Sequence, residues 1–453
     1  MMIFYLTIFC YHAILYPDII KGDNFMIKKT DLSELDVRID LNFNRLAESP
    51  YYQIGEVFSP SGYDWYGDKE GRALLAFADH FKISGKAIPC MEEMLSEMPA
   101  RFNEKGYFGP IFDGVTIHEQ QLSGHSWLLR GLCLHYELFG DAFSLDAVKR
   151  IVDGLYLSAL GRFKSYPIKR ADKNNGGVSG NSLDETEGWV LSSDTGCAFM
   201  SIDGLAHAYK VTKDTRIKEL LDEMISTYLA IDKKALKAQT HCTLTAARGM
   251  MTVYGETRDI SYLDGAESIL ELYANGGGMT ETYQNLNWWQ RPDSWTEPCA
   301  IVDSMILALE LYKATEKKEY RTLAARIYHN GLSTSQRSNG GAGTDKLVIK
   351  SINDTLSVGK YYEAYFCCTM RLAEGLLYAK ENSNLLYAEL EGTVTNKGGI
   401  YSDGDILYAS VSSELEPFAE HFVEVDGHKL CPIVKYFKVP EDIAKTGRQK
   451  IIF

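Results

Sequence analysis

From about residue 70 to about residue 380, apolar and polar positions alternate with the period of a helix. The predicted helices share one kind of ending: an aromatic residue, then a residue, an apolar position, Ser, Thr or a similar residue, and Gly, Lys or Asp. The endings read DHFKISGK at Phe81, LHYELFGD at Tyr136, AHAYKVTKD at Tyr209, TVYGETRD at Tyr254, ELYKATEKKEY at Tyr312 and LLYAKENS at Tyr378. Their unequal intervals each leave room for a pair of helices and a connection, so they predict six helical hairpins. Solenoid repeats are more regular than this. The pattern therefore predicts a mainly α protein, a closed toroid of helical pairs or (α/α)6 barrel, with an irregular helical array as the alternative.

A barrel of this kind collects its long loops at one end, where they carry function. Three polar, turn-rich stretches fit that description: Ser165 to Val190 with KNNGGVSGNSLDETEG, Asn275-Gly-Gly-Gly278, and Ser335 to Asp345 with SQRSNGGAGTD. After Ser383 the period changes. LLYAELEG, GGIYSDG and DILYASVSS alternate as strands do, so residues 26–382 are expected to form the barrel and residues 383–453 a small C-terminal β-domain. Residues 1–25 are apolar and aromatic but lack the basic start and small-residue cleavage site of a secretory signal. Their apolar run is shorter than a membrane span needs, and they are expected to be a degenerate export signal or an over-extended start. Both cytoplasm and periplasm fit the chain.

The 453 residues can bury a large core. A net charge of −14 argues against nucleic acid as a partner, and against anionic membrane surfaces. The 28 tyrosines pack cores first, and an aromatic surplus also suits stacking on the C–H face of a sugar. The nine cysteines are odd in number and lack the spacing of a secreted disulfide framework. Most read as buried apolar thiols. Cys367 and Cys368 are adjacent and poorly placed to bond to each other.

The chemistry concentrates in Thr280 to Cys299, T-E-T-Y-Q-N-L-N-W-W-Q-R-P-D-S-W-T-E-P-C, which holds Glu281, Glu297, three tryptophans and Cys299. Glu297-Pro-Cys299 stands just before the apolar helix 300–312, and Cys367-Cys368 opens the helix 369–378. Helix N-termini favour thiolates. Zinc takes thiolate ligands and accepts a carboxylate, so Glu297, Cys299, Cys367 and Cys368 could fill one tetrahedral site. The alternative is two pairs of core thiols.

In order and spacing, several segments resemble the zinc-dependent β-L-arabinofuranosidase family of glycoside hydrolases. His118-Glu-Gln-Gln-Leu-Ser-Gly-His125 resembles its H-E-x-x-x-x-G-H segment, and Gly277-Gly-Met-Thr-Glu281 its Gly-rich acid/base loop. Glu297-Pro-Cys-Ala300 resembles its E-x-C-A segment, Tyr328-His-Asn-Gly331 its Y-N-G turn, and Phe366-Cys-Cys368 its C-C pair. Ser402-Asp-Gly-Asp-Ile-Leu-Tyr408 resembles the strand that follows. The resemblance covers roughly residues 100–410 and implies an (α/α)6 catalytic domain that binds Zn2+ and hydrolyses an oligosaccharide or other glycoside with retention. By position, Cys367 would be the nucleophile, held as thiolate by zinc. Glu297, Cys299 and Cys368 would complete the coordination, and Glu281 would be the acid/base.

His118 would bind sugar hydroxyls, with a buried structural histidine as the alternative. His241 is a further cleft residue. Trp288, Trp289 and Trp295 could form sugar platforms, with core packing the favoured role of each Trp taken singly. His125 reads as structural, and Glu119 as positioning His118 or capping the helix. Two departures bear on the substrate. Thr369-Met-Arg371 stands where the family has Pro-Pro-Asn, and Asp194-Thr-Gly-Cys197 where it has Gly-His. An unsaturated-uronide hydrolase or polysaccharide lyase on the same barrel would not need the cysteine set. A sugar-binding protein with a structural zinc would not need Glu281.

Overall fold

The computed structural model describes residues 34–60, 62, 64–112, 116–168, 179–280, 283–291, 294–337, 339–348 and 357–388, together with six short strands between residues 399 and 452. Its helices of eight or more residues are α1 (Glu34–Glu48), α2 (Asp68–Ser84), α3 (Cys90–Glu97), α4 (Glu119–Phe139), α5 (Ala142–Gly154), α6 (Ser201–Thr212), α7 (Thr215–Ala230), α8 (Thr240–Thr257), α9 (Ile260–Asn275), α10 (Pro298–Thr315), α11 (Lys318–Arg326) and α12 (Cys368–Glu381). The even-numbered helices pack in sequence, α2 on α4, α4 on α6, α6 on α8, α8 on α10, α10 on α12, and α12 on α2. The odd-numbered ones lie against them: α3 on α2, α5 on α4, α7 on α6, α9 on α8, α11 on α10, and α1 on α12. Burial explains the division. From Pro298 to Leu309, α10 is buried on every face, whereas α5 buries only Ser144, Ala147, Val148, Ile151 and Val152 along one stripe.

The repeated aromatic endings mark the C-termini of the six even-numbered helices. In each, the residue after the helix donates its N–H to the aromatic carbonyl: Gly85 to Phe81, Gly140 to Tyr136, Lys213 to Tyr209, Arg258 to Tyr254, Glu316 to Tyr312 and Asn382 to Tyr378. The first five donors are left-handed, with φ from 57° to 68°. This is the αL cap, which supplies a donor to a carbonyl the helix leaves unpaired. Lys213, Arg258 and Glu316 adopt it without being glycine.

The six helices run the same way. Their C-terminal halves surround a charged cavity of about 250 Å³, to which α2 contributes Asp79, α4 Leu134, α6 His207, α8 Thr252, α10 Glu310 and α12 Leu377. At the other end stand the helix N-termini and the connections that follow α1, α3, α5, α7, α9 and α11. Gly71 permits the closest crossing: a Cβ there would lie 2.1 Å from Leu128 N, so α2 and α4 meet backbone to backbone.

The stretch 165–190 holds more than loop. Strand β1 (Ile117–His118) runs parallel to β3 (Trp189–Ser192), which pairs antiparallel with β2 (Ser182–Thr186). A hairpin of β4 (Gly343–Val348) and β5 (Ser357–Glu363) leads into α12. Further on come β6 (Gly399–Asp403), β7 (Ile406–Ser410), β8 (Val423–Val425), β9 (His428–Leu430), β10 (Tyr436–Lys438) and β11 (Ile451–Ile452), in two sheets ordered β10-β7-β6 and β11-β8-β9. The strands expected in GGIYSDG and DILYASVSS are β6 and β7. LLYAELEG begins instead as a helix, Ser383–Ala388, because Leu386 is buried and the segment packs on α11. Tyr328-His-Asn-Gly331 is a π-helical turn that continues α11. Residues 1–25 lie outside the described residues. Among the described residues, no helix is long and apolar enough to cross a membrane.

Candidate metal centre and cleft

Glu297 is the N-cap residue of α10, with Pro298 in the first helical position, where the missing N–H costs nothing. Its backbone N–H donates to Asn285 Oδ1 at 2.8 Å, and Asn285 Nδ2 donates to Thr240 Oγ1 at 3.2 Å, which ties the start of α10 to the start of α8. Cys367 caps α12 and Cys368 is its first residue. Thr369, the first departure from the family pattern, accepts from Ala342 N at 2.9 Å and donates to Ala342 O at 3.0 Å. It thereby clamps the thiol pair to the β4–β5 hairpin.

The Glu297 carboxylate and the sulfurs of Cys299, Cys367 and Cys368 all lie within 4.8 Å of one another. Among the described residues no other three or more His, Cys, Asp or Glu side chains bring donors this close. The separations are 3.1 Å for Cys299–Cys367, 3.9 Å for Cys299–Cys368, 3.9 Å for Cys367–Cys368 and 3.5 Å for Cys367 to Glu297 Oε1. Around zinc, with bonds of about 2.3 Å to sulfur and about 2.0 Å to oxygen, the tetrahedral edges are about 3.8 Å between sulfurs and about 3.5 Å from sulfur to oxygen. Three of the four separations match, and the fourth is short by several tenths of an ångström yet far longer than a disulfide. The donor set fits a tetrahedral thiophilic metal.

Exposure separates the four. Glu297, Cys299 and Cys368 are buried, and Cys367 alone is half-buried. The thiols of Cys299 and Cys368 hydrogen-bond Cys367 and hold it well below the ordinary thiol range, helped by the charge of Arg72. Burial pushes Cys299 and Cys368 well above that range, and burial followed by the nearby Cys367 raises Glu297. The least buried of the four thiol and carboxyl groups is thus the one whose pKa is held down.

Beneath the centre lies a layer of buried charge. Arg72 Nη1 reaches Cys299 Sγ at 3.6 Å, and its Nε donates to Asp68 Oδ1 at 2.9 Å. His241 Nδ1 is 3.6 Å from Glu297 Oε1, and its Nε2 is 3.3 Å from Asp303 Oδ2. Trp127 stacks on His241 and takes the guanidinium of Arg72 over its ring at 4.0 Å and that of Arg371 at 4.5 Å. Sequence reasoning did not find Arg72, Asp68, Trp127 or Asp303. A signal existed for Asp303, a lone acid in the apolar run of α10, where a charge must be paired.

His118 is buried and caps α4, accepting from Gln121 N at 3.4 Å. Its Nε2 lies 3.3 Å from Ser182 Oγ, which donates to Asp64 Oδ2 at 2.8 Å. Phe112 stacks on the ring. Glu119 accepts from Tyr166 Oη at 2.5 Å and from Ser192 N at 2.6 Å, so it anchors β3 to α4. Asp194, in the second departure from the family pattern, is buried and pushed up to about 6 by that burial. It accepts from Ser179 Oγ at 2.8 Å, Gly180 N at 2.7 Å and Gln239 Nε2 at 2.8 Å.

Trp288 and Trp289 have no exposed face and pack the core, so neither can serve as a sugar platform. A platform must present a ring face to solvent, and of the three only Trp295 is half-buried, set edge-to-face on Trp288 at 4.9 Å. Glu281 lies outside the described residues. Next to it, Thr280 N donates to Gln284 O, and Met279 forms a bridge with Asn285.

His125 makes a separate prediction. Its ring is fully buried, with Nε2 accepting from Phe108 N at 3.0 Å and Nδ1 2.8 Å from Gln121 O. Nδ1 therefore carries the proton, and a second proton on Nε2 would face an N–H. Burial lowers the ring to about 4. Because the unfolded chain takes up this proton near pH 6.5, the stabilisation is complete above that value and is lost as pH falls toward 4, about 3 kcal/mol in all. The stability advantage of wild type over His125→Gln, from urea unfolding, is expected to shrink by that amount between pH 7 and pH 4. A constant difference would refute this assignment.

The fold has relatives among solved structures. It is similar to a glycoside hydrolase, with 12% identity and a TM-score of 0.53 over 90% of this chain and 74% of that one. It is also similar to a GH127 beta-arabinofuranosidase, with 12% identity and a TM-score of 0.52 over 89% and 75%. A GH76 alpha-mannanase of Bacteroides thetaiotaomicron matches with 12% identity and a TM-score of 0.51 over 78% and 97%. No family model and no curated protein matches the sequence. At this identity the likeness is one of fold. The chain is mainly helical, and its fold is similar to that of these (α/α)6 structures.

Proposed function

We propose that this chain is a retaining glycoside hydrolase acting on β-L-arabinofuranosides or similar glycosides, with Cys367 as nucleophile and Glu281 as acid/base. Residues 26–382 would form the closed (α/α)6 barrel and residues 383–453 a β-rich domain. The observation that carries the reading is the meeting of Glu297, Cys299, Cys367 and Cys368, from two helix N-termini, with Cys367 alone only half-buried. The likeness in fold to a beta-arabinofuranosidase supports it, as does the order of motifs in the sequence.

Zinc held by these four side chains would draw the proton from Cys367 and keep it as thiolate near neutral pH. The Cys367 sulfur then attacks the anomeric carbon as Glu281 gives its proton to the leaving oxygen, and a carbon–sulfur bond replaces the carbon–oxygen bond. Glu281, now a carboxylate, takes a proton from water. The water oxygen displaces the sulfur, and configuration is retained after two inversions. Asn285 holds the entry to α10, and so the angle at which Glu297 and Cys299 meet the α12 thiols. His241 buttresses Glu297 from behind.

The test is hydrolysis of an aryl β-L-arabinofuranoside, with the anomer first released read by NMR. Wild type is expected to release the β anomer, and Glu281→Gln to lose about 10²–10⁴-fold in rate on a poor leaving group. Release of the inverted anomer, or no loss in Glu281→Gln, would exclude this mechanism.

A further inference from the structure

We propose that Arg72 is the counter-ion and positioning residue of the thiol centre. The inference rests on the reading of that centre as a metal site and adds a member to it. Three thiolates and one carboxylate bring four negative charges, and a divalent cation cancels two of them. The remainder sits where Glu297, Cys299 and Cys368 are buried, and buried charge is costly unless it is paired.

Arg72 is placed to pair it. Its guanidinium is buried and held on three sides. Nε donates to Asp68 Oδ1 at 2.9 Å, the Trp127 ring lies 4.0 Å beneath, and Nη1 points to Cys299 Sγ at 3.6 Å. Asp68 and Arg72 are one turn apart on α2, so the carboxylate fixes the fork's rotation while the indole face fixes its plane. A lysine could supply the charge but not this geometry, because only a planar fork can donate sideways to a carboxylate and forward to a sulfur. The other cations in the layer are committed elsewhere. Arg371 and Arg248 donate to Asp303 at 2.5 and 2.6 Å, and Arg130 donates to Glu374 at 2.6 Å. A partner that hydrogen-bonds a metal ligand from outside sets the ligand's orientation and basicity, and its loss costs affinity for the metal.

The experiment measures zinc affinity of the full chain by competition with a chromophoric chelator, with the melting temperature of the metal-free protein followed in parallel. Arg72→Gln, which keeps a hydrogen-bonding side chain of similar reach but no charge, is expected to weaken zinc about 10–100-fold. Asp68→Asn leaves the charge and loosens its hold, and is expected to give a smaller loss of several-fold. A folded Arg72→Gln that binds zinc as tightly as wild type overturns the proposal and leaves the metal centre standing. If Arg72→Gln does not fold, Asp68→Asn decides, and unchanged affinity there overturns it equally. A wild-type protein that binds no zinc brings down the reading of the centre, and this inference with it.

Discussion

Purified without added metal, the protein is expected to hold about one zinc per chain, and Cys299→Ala and Cys368→Ala are expected to lose most of it. The two sulfurs are buried on different helices, so each variant removes one donor without opening the other side of the site. Cys367→Ser tests something different. It keeps shape and a weaker ligand, so part of the metal remains, while the nucleophile is gone. Its turnover on an aryl glycoside is expected to fall by about 10⁴-fold or more. Elemental analysis of the purified chain, with thiols titrated in the same sample, is the measurement. Zinc at one per chain together with a dead Cys367→Ser separates a catalytic thiolate from a structural site. In that second case the metal would survive and the variant would have no rate to lose. A folded wild type with reduced thiols and no zinc would leave four acidic donors, three of them buried, crowded without a cation, and the thiolate mechanism would fall.

The helix endings were legible because a C-cap is a local event. An aromatic, a short apolar–polar run and a residue able to turn left-handed suffice to stop a helix, and they do so at Tyr136 as at Tyr312. The pairing of Glu297 with Cys299 and of Cys367 with Cys368 was legible for a similar reason, since each pair sits at a helix start within two residues. For Trp288 and Trp289 the residue types suit a cleft and a core alike. Only the bridge from Gln239 to Trp288 and the packing of Trp289 over Gly278 turn them inward. Arg72 gave no sign, because its three partners come from α2, α4 and α10 and meet only when the helices pack. The sheet of β1, β2 and β3 was hidden by the turn-formers around it. Ile117 pairs with Trp189, 72 positions on, a contact no local pattern reports.

Asp303→Asn is expected to destabilise the metal-free fold by about 3–5 kcal/mol, the cost of breaking a buried ion pair by removing one partner. Asp303 is fully buried in α10 and accepts from Arg371 Nη2 at 2.5 Å, Arg248 Nη1 at 2.6 Å and Thr245 Oγ1 at 2.6 Å. Burial works against its charge, but Arg371 and Arg248 outweigh it and hold the carboxyl well below the usual range. Removing the charge strands two guanidiniums. Glu374 cannot absorb both, since it already accepts from Arg130 Nη2 at 2.6 Å and Arg248 Nη2 at 2.5 Å and is paired with Arg371. The network joins α4, α8, α10 and α12, so its loss is felt by four helices at once. Asp303 also stands one turn below Cys299 and 3.3 Å from His241 Nε2. The same substitution frees the histidine that backs Glu297, and zinc affinity is expected to drop with stability. Urea unfolding of metal-free wild type and variant gives the first quantity, and chelator competition the second. A stability loss below about 1 kcal/mol would mean that the arginines find water or other carboxylates, and that the layer beneath the metal centre is not the rigid floor described here.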